Sequence, residues 1–472
     1  MIEYSERIEP KGNLMAKRTR RNFIKSTAAL GLGLWAAGGV SAKPSRSALE
    51  EISFGCIGIG GKGSSDSADA NNTKRHGSRV VTVCDIDDEK LGKSKEKFPG
   101  AKQFHDYRKM LDEMGNSIDA VTISTPDHTH AVAALQAMRM GKHCFCQKPM
   151  THSIEEARMM ATVAREKKIM TQMGNHGTAN PNMRLSAALI KSGIIGTVKE
   201  VHVWTNRPVW PQSYGLKVKT PPKPDHVHWD EWIGPAKFRP FSPDYHDFKW
   251  RGFWDFGTGA LGDMSCHTLN MSYMALDLRD PISVEAQTEP HDGNCYPKAS
   301  VINYEFPERN GRPALKMTWY DGGKKPLELL ADCPKQKQKD REFTYTSGAL
   351  LIGDKGKFFS PGDYGAEVAT TGIVVDGEFT NQITLPNKPE FVKSPGHFME
   401  LTEAIRGNGK PMSNFVDYAG GLTETTLLGN LAVWTGKKIQ WDAKMMIATN
   451  NDDEKVKQIV RHQYHNGYTI HA

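Results

Sequence analysis

Residues 52–87 constrain this chain more than any other stretch. An apolar run from Phe54 to Ile59 leads into Gly58-x-Gly60-x-x-Gly63, and a second run, Val80-Val81-Thr82-Val83-Cys84, ends in Asp85. The pattern reads strand, glycine turn, helix, strand, acid. Gly58 allows a tight turn and Gly60 lets a pyrophosphate approach the backbone. Gly63 brings the following helix close to the strand, with its N-terminal amides facing the phosphates. Glycine-rich loops are common, but flanking strands and a terminal acid together predict a dinucleotide-binding unit with Asp85 on a ribose 2′-OH. A carboxylate at that point repels a 2′-phosphate, which favours NAD over NADP, although Lys90 is close by in sequence.

From Asp87 onward helices and strands alternate as in a parallel α/β sheet. Helices are expected at Glu89–Phe98, Tyr107–Met114, Thr129–Met140 and Ile154–Lys167, and strands at 119–125, His143–Cys146 and Ile169–Met173. The pattern changes near Gly174-Asn175-His176. A helix over Pro181–Gly193 and an alternating strand at Thr197–Trp204 precede a long aromatic, proline-rich region at 207–254, and loops of that length are usually functional. Strand candidates at Ser283–Gln287, Ala299–Phe306, Ala314–Tyr320, Glu342–Tyr345 and Gly348–Gly353 then predict a mainly antiparallel second sheet. Helices at Phe398–Arg406 and Leu422–Thr435 close it. The fold class is therefore α/β: a doubly wound Rossmann domain at 50–174, a second α/β domain with a large, mostly antiparallel open sheet at 175–445, and a tail at 446–472.

The first 42 residues read as an address. Thr19-Arg20-Arg21-Asn22-Phe23-Ile24-Lys25 fits the twin-arginine export pattern, Ala28–Val40 is apolar, and Val40-Ser41-Ala42 has the small-x-small form of a cleavage site. The apolar stretch falls short of the ~20 residues that span a bilayer, so no stable membrane span is expected. The export machinery is thus a predicted partner and the periplasm a predicted destination. That route moves folded proteins, which suits a cofactor carried along rather than exchanged outside. The same segment holds seven Lys/Arg against three Glu, over half of the formal +7, so the remainder carries no nucleic-acid footprint. Seven scattered cysteines, an odd number, do not form a disulfide framework, and Cys144-x-Cys146 is too tight and strand-like for zinc; no metal site is assigned.

Several further motifs join the glycine turn and Asp85. They are Ser124-Thr125-Pro126-Asp127-His128-Thr129-His130, Gln147-Lys148-Pro149 and Gly262-Asp263-Met264-Ser265-Cys266-His267. With these the chain resembles the Gfo/Idh/MocA oxidoreductases, which act mainly on sugars and cyclitols. Trp319-Tyr320-Asp321-Gly322-Gly323 is similar to an exported bacterial subgroup. The resemblance implies a C-terminal sheet that faces the cofactor and often mediates homo-oligomers. It implies that Thr125, Pro126, His130 and Lys148 lie beside the cofactor, and that Lys148 hydrogen-bonds the substrate hydroxyl. Lys148 follows a strand at the carboxyl edge of the sheet, where such folds bind ligands. Gln147 departs from the family pattern, which has glutamate.

Asp263 and His267, four apart on a helix, share a face. The resemblance implies His267 as general base with Asp263 nearby. Asn175 and His176 at the domain crossing are candidate substrate contacts, as are Trp204, Trp210 and Tyr214, whose rings suit a pyranose face. Arg207, Asp230, Arg251 and Asn270 are weaker polar candidates. The leading expectation is an NAD-dependent oxidoreductase acting on the hydroxyl of a small carbohydrate. The alternative is an NAD-dependent glycosidase that oxidises transiently, eliminates the aglycone and returns the hydride. It needs a further base, for which Tyr214, Tyr245, His246 and His176 stand open. A non-catalytic sugar-binding protein is the third reading.

Overall fold

The structure is a computed structural model that describes residues 51–338, 341–383 and 389–471. The export segment at 1–42 lies outside the described residues. No helix among them is long and apolar enough to cross a membrane.

The first layer is a six-stranded, wholly parallel sheet. Its strands are β1 (Ile52–Ile57), β2 (Ser78–Cys84), β3 (Lys102–Phe104), β4 (Ala120–Ile123), β5 (His143–Cys146) and β6 (Thr171–Met173), in the spatial order β3-β2-β1-β4-β5-β6. Reversal of strand order beside β1 opens the crevice where doubly wound sheets bind ligands. Five of the six residues of β1 are buried, as expected of a central strand covered by helices on both faces.

The crossover helices are α1 (Lys62–Ala70), α2 (Asp88–Lys97), α3 (Tyr107–Met114), α4 (Asp127–Arg139) and α5 (Ile154–Lys167). Local chemistry sets their starts. Asp87 accepts from the Glu89 and Lys90 amides at the head of α2. Ser153 and Glu156 form a reciprocal capping box on α5. α4 begins at Asp127, two residues before the periodicity suggests, directly after Pro126.

Helix α6 (Pro181–Lys191) then leads to β7 (Val198–Trp204), the middle of a second sheet with ten strands among the described residues. On one side of β7 lie β10 (Leu315–Tyr320), β9 (Ser300–Phe306), β8 (Ser283–Thr288), β15 (Ile439–Asp442) and β16 (Ile447–Ala448). On the other lie β11 (Gly348–Gly353), β12 (Gly356–Pro361), β13 (Gly372–Val375) and β14 (Glu378–Thr380). Only β7 and β10 pair in parallel, so the sheet is mostly antiparallel. The strand expected at Glu342–Tyr345 is instead a short ladder of Arg341–Phe343 with Gln336–Gln338. Helices α7 (Gly259–Thr268), α8 (Asn270–Leu276), α9 (His397–Ile405) and α10 (Gly420–Thr435) complete the core; α7 starts three residues before Gly262.

The aromatic region is mostly irregular and builds its own small core. Trp229 and Trp232 stack at 4.4 Å, and they pack with Tyr245, Phe253 and Phe256. The segment 446–471 holds α11 (Glu454–Val460) and then runs back over the Rossmann layer. There Tyr464 donates to Glu156 at 2.8 Å, Arg108 covers the Tyr468 ring at 4.4 Å, and Ile470 is buried.

Candidate active site

A cavity of about 700 Å³ runs from the glycine turn to α7. Gly58, Gly60, Asp85, Thr125, Pro126, Lys148, His176, Trp210, Asp263 and His267 line it, so most of the residues picked out in the sequence meet in one place.

At the turn, Gly58 has φ +77°, and a Cβ there would lie 2.6 Å from the Ser124 carbonyl oxygen. Gly63 packs still closer: its Cβ would fall 2.1 Å from the Gly58 carbonyl oxygen. The space a side chain would fill is occupied by backbone, which is the close helix–strand approach a dinucleotide cradle needs. Asp85 accepts hydrogen bonds from the Ile59 amide at 2.9 Å and the Asp87 amide at 3.2 Å, so it also braces the loop. Burial raises its pKa, opposed by those amides and by Lys90. These residues fit an NAD: glycine backbone and the α1 N-terminus for the pyrophosphate, Asp85 for the ribose.

The other end is built around Asp263. Lys148 Nζ donates to its carboxylate at 2.7 Å and to its backbone carbonyl at 2.9 Å. Arg251 Nε stands 3.3 Å and Arg207 Nε 3.6 Å from the same carboxylate. Burial pushes the Asp263 pKa up, but Lys148 and Arg251 outweigh it and hold the group below the usual carboxylate range. Arg251 also donates twice, at 2.9 Å, to the fully buried Asp127. It thereby ties the head of α4 to α7 and the two sheets to one another. Lys148, following β5, is thus held by two hydrogen bonds from its ammonium to Asp263.

One turn beyond Asp263, His267 is buried, and its Nδ1 has no hydrogen-bond partner. Burial, reinforced by the Lys148 charge, holds its pKa well below the ordinary histidine value. The ring is therefore neutral at pH 7 and lines the cavity, with its unpartnered Nδ1 turned into the protein. The Tyr364 ring lies 4.8 Å from His267 and 4.7 Å from His176, and the two imidazoles are 5.8 Å apart.

Several sequence candidates are placed elsewhere. Trp204 is buried in the second sheet, donates to the Tyr345 carbonyl and stacks with Phe359, so it has no face for a sugar. Tyr214 is 68% exposed and lies outside the cavity lining. His130 is buried between the Pro149 and Thr125 carbonyls, at 2.9 and 2.8 Å; it buttresses the Lys148 turn from beneath rather than facing the cavity. Asn175 is buried against Ser413, while its neighbours Gly174 and His176 line the site. Asn270 is likewise buried, bonded to Tyr418 and Thr178.

Sequence reading missed Tyr364, whose only local signal is a glycine-flanked aromatic between two strands. It also missed the partner of Gln147. Gln147 Nε2 donates at 2.8 Å to the buried Asp66 carboxylate of α1, which also accepts from Ser124 at 2.7 Å and pairs with Lys62. An amide, not an acid, is what a carboxylate at 66 requires. Gln147→Glu would set two carboxylates together with one donor fewer, so a loss of ~2–4 kcal/mol is expected in denaturant unfolding. Adding Asp66→Asn should restore most of it; equal stability of Gln147→Glu and wild type would refute the pairing.

Comparison with known proteins agrees with this layout. Residues 52–175 match the oxidoreductase family's NAD-binding Rossmann fold, and residues 182–310 match its C-terminal alpha/beta domain. Curated relatives include levoglucosan dehydrogenase of Pseudarthrobacter phenanthrenivorans, 24% identical over 40% of this chain and 40% of that one. Inositol 2-dehydrogenase of Rubrobacter xylanophilus is 30% identical over 31% of this chain and 42% of that one. The matched stretches thus span about two-fifths of these relatives' length. Among solved structures, the WlbA dehydrogenase of Bordetella pertussis, in complex with NADH and UDP-GlcNAcA, is similar with a TM-score of 0.56 at 18% identity. That match covers 83% of this chain and 99% of that one. Aldose-aldose oxidoreductase of Caulobacter crescentus gives a TM-score of 0.54 at 15% identity, covering 83% of this chain and all of the other. With a glycine cradle that fits NAD, a Lys148–Asp263–His267 cluster at the far end of the same cavity and both family domains in order, this chain belongs to the Gfo/Idh/MocA family of NAD-binding oxidoreductases.

Proposed function

We propose that the protein is an exported, NAD-dependent oxidoreductase that acts on a ring hydroxyl of a carbohydrate and keeps its NAD as a prosthetic group. The observation that carries this reading is a neutral His267 imidazole lining the same cavity as the Lys148 ammonium. Bound NAD supplies the hydride acceptor. The chain's own residues do the rest. His267 takes the hydroxyl proton, since a base must be neutral to accept one. Lys148 donates to the same oxygen and steadies the negative charge that grows there. Asp263 holds Lys148 in direction and is itself fixed by Arg251. Tyr364 and Trp210 offer aromatic faces to the sugar. Export by the twin-arginine route and assembly of copies through the large sheet belong to this proposal.

The redox glycosidase is a second reading, favoured by one observation. A second imidazole, His176, stands 5.8 Å from His267, its pKa lowered by burial and then by Lys62 and Lys148. It is a base for the proton beside the keto carbon. His246 also lines the cavity, whereas Tyr245 is packed in the aromatic core and Tyr214 lies outside. Full-length protein mixed with aryl glycosides and with free sugars separates the two. The oxidoreductase gives stoichiometric nicotinamide reduction with no aglycone. Aglycone release without net reduction establishes the glycosidase instead, and neither product from a broad sugar panel would overturn both.

A further inference from the structure

At the rim of the cavity, near Asp85, three metal-ligating side chains converge from three separate parts of the chain. His105 follows β3, Asp88 opens α2, and His228 comes from the irregular aromatic region, where it precedes the short helix Trp229–Ile233. His105 Nε2 lies 2.6 Å from Asp88 Oδ1, and His228 Nε2 lies 3.2 and 3.3 Å from the two oxygens of the same carboxylate. The imidazoles stack with centroids 3.6 Å apart and planes 17° from parallel, so both Nε2 atoms present to one side. All three ligating atoms lie within 4.8 Å of one another.

The backbone around them is already fixed. The His228 amide donates to the Ile86 carbonyl at 2.8 Å, the Asp88 amide donates to the His226 carbonyl at 2.9 Å, and Asp87 bridges Val227. Three ligands on a pre-formed frame give the ordering that makes metal binding favourable, since little chain entropy is left to lose. Two imidazole nitrogens and one carboxylate oxygen suit a borderline divalent transition ion with open positions for water, and suit magnesium or calcium poorly. We propose that Asp88, His105 and His228 form a divalent transition-metal site that clasps the aromatic region to the Rossmann layer at the cofactor's entrance. His105 itself lines the cavity beside Asp85 and Ile86, which places the clasp where the dinucleotide enters. No ligand spacing in the sequence announces such a site, because its members are up to 140 residues apart.

Zinc is the probe. Untagged full-length protein, stripped with a chelator and dialysed, is titrated with Zn²⁺ in competition with a chromophoric chelator, alongside thermal unfolding. Wild type is expected to take up one equivalent, and its melting temperature should rise with zinc, because an ion that binds the native state stabilises it by mass action. His105→Ala and His228→Ala should each weaken binding by ~100-fold or more and lose the thermal response. His226→Ala tests the adjacent set of Asp87, Glu89 and His226 and should keep both. Absence of stoichiometric zinc uptake by wild type would overturn the proposal. So would uptake that survives in both His105→Ala and His228→Ala, or uptake lost only in His226→Ala; in the first case the two histidines simply donate hydrogen bonds to Asp88.

Discussion

Lys148→Ala is expected to lower single-turnover oxidation by ~10²–10³-fold, the range seen when one preorganised donor to a developing oxyanion is removed. NAD extracted from the purified variant should stay near the wild-type amount, because the cradle at Gly58 to Gly63 is untouched. Asp263 keeps Arg251 at 3.3 Å and Arg207 at 3.6 Å, so the loss would not come from an abandoned buried charge. The wild-type pH profile carries the companion result. Burial and the Lys148 charge depress the His267 pKa, so the neutral base persists as pH falls through the ordinary histidine range near ~6.5. Its acid limb should therefore lie below that range. Removing the ammonium from beside His267 should move the limb upward, toward the ordinary value. Full turnover in Lys148→Ala, or an acid limb that the substitution leaves in place, would remove Lys148 from the site chemistry.

Gly63→Ala should be the most damaging single-methyl change in the cofactor domain. The added Cβ would meet the Gly58 carbonyl oxygen at 2.1 Å and the Ser124 Cβ at 3.1 Å. Because the nearest atom is backbone, α1 must move off β1, at a cost of ~1–3 kcal/mol, with NAD affinity falling ~10–100-fold. Neighbouring glycines provide the contrast. A Cβ at Gly60 meets only the flexible end of Lys90, and one at Gly61 meets nothing within 4 Å, although its φ of +49° disfavours a side chain. Gly61→Ala should thus lose only ~1–2 kcal/mol of stability and keep its NAD. Bound NAD per chain and denaturant midpoints decide the matter. Equal losses at 61 and 63 would mean that backbone angle, not helix approach, governs the cradle.

Much of the architecture was legible from local pattern. Glycines at 58, 60 and 63 after an apolar strand, an acid at the end of the next strand and the alternation that follows predict the parallel sheet that is observed. The residues that ended in the cavity from those predictions sit at strand ends or on one helix face, where the topology of such a sheet leaves a side chain little choice. Asp263 and His267 share a face because four residues make about one helical turn.

What local pattern did not contain was the partnering across distance. Large aromatic residues look alike in a sequence whether they stack on sugars or on one another. Trp204 went into the second sheet, Trp229 into a small core, and Trp210, Trp232 and Trp250 to the cavity wall, according to long-range packing. Glutamine at 147 became intelligible only beside Asp66, 81 residues away. The last segment, a tail by composition, acquired its place by covering Glu156 and Arg108.

By itself, then, the sequence determined the order of strands and helices, the cradle for NAD and the identity of the lysine, aspartate and histidine that meet at its far end. The elements and the cradle rest on periodicity and on spacings of a few residues, the three site residues on the motifs that carry the family resemblance. Only the tertiary structure decided which charge faces which, which imidazole is left with a free nitrogen, and which aromatics see the cavity. Those depend on contacts between segments distant in the chain, such as Lys148 with Asp263, and burial, which sets their energies, does not exist until the segments have packed.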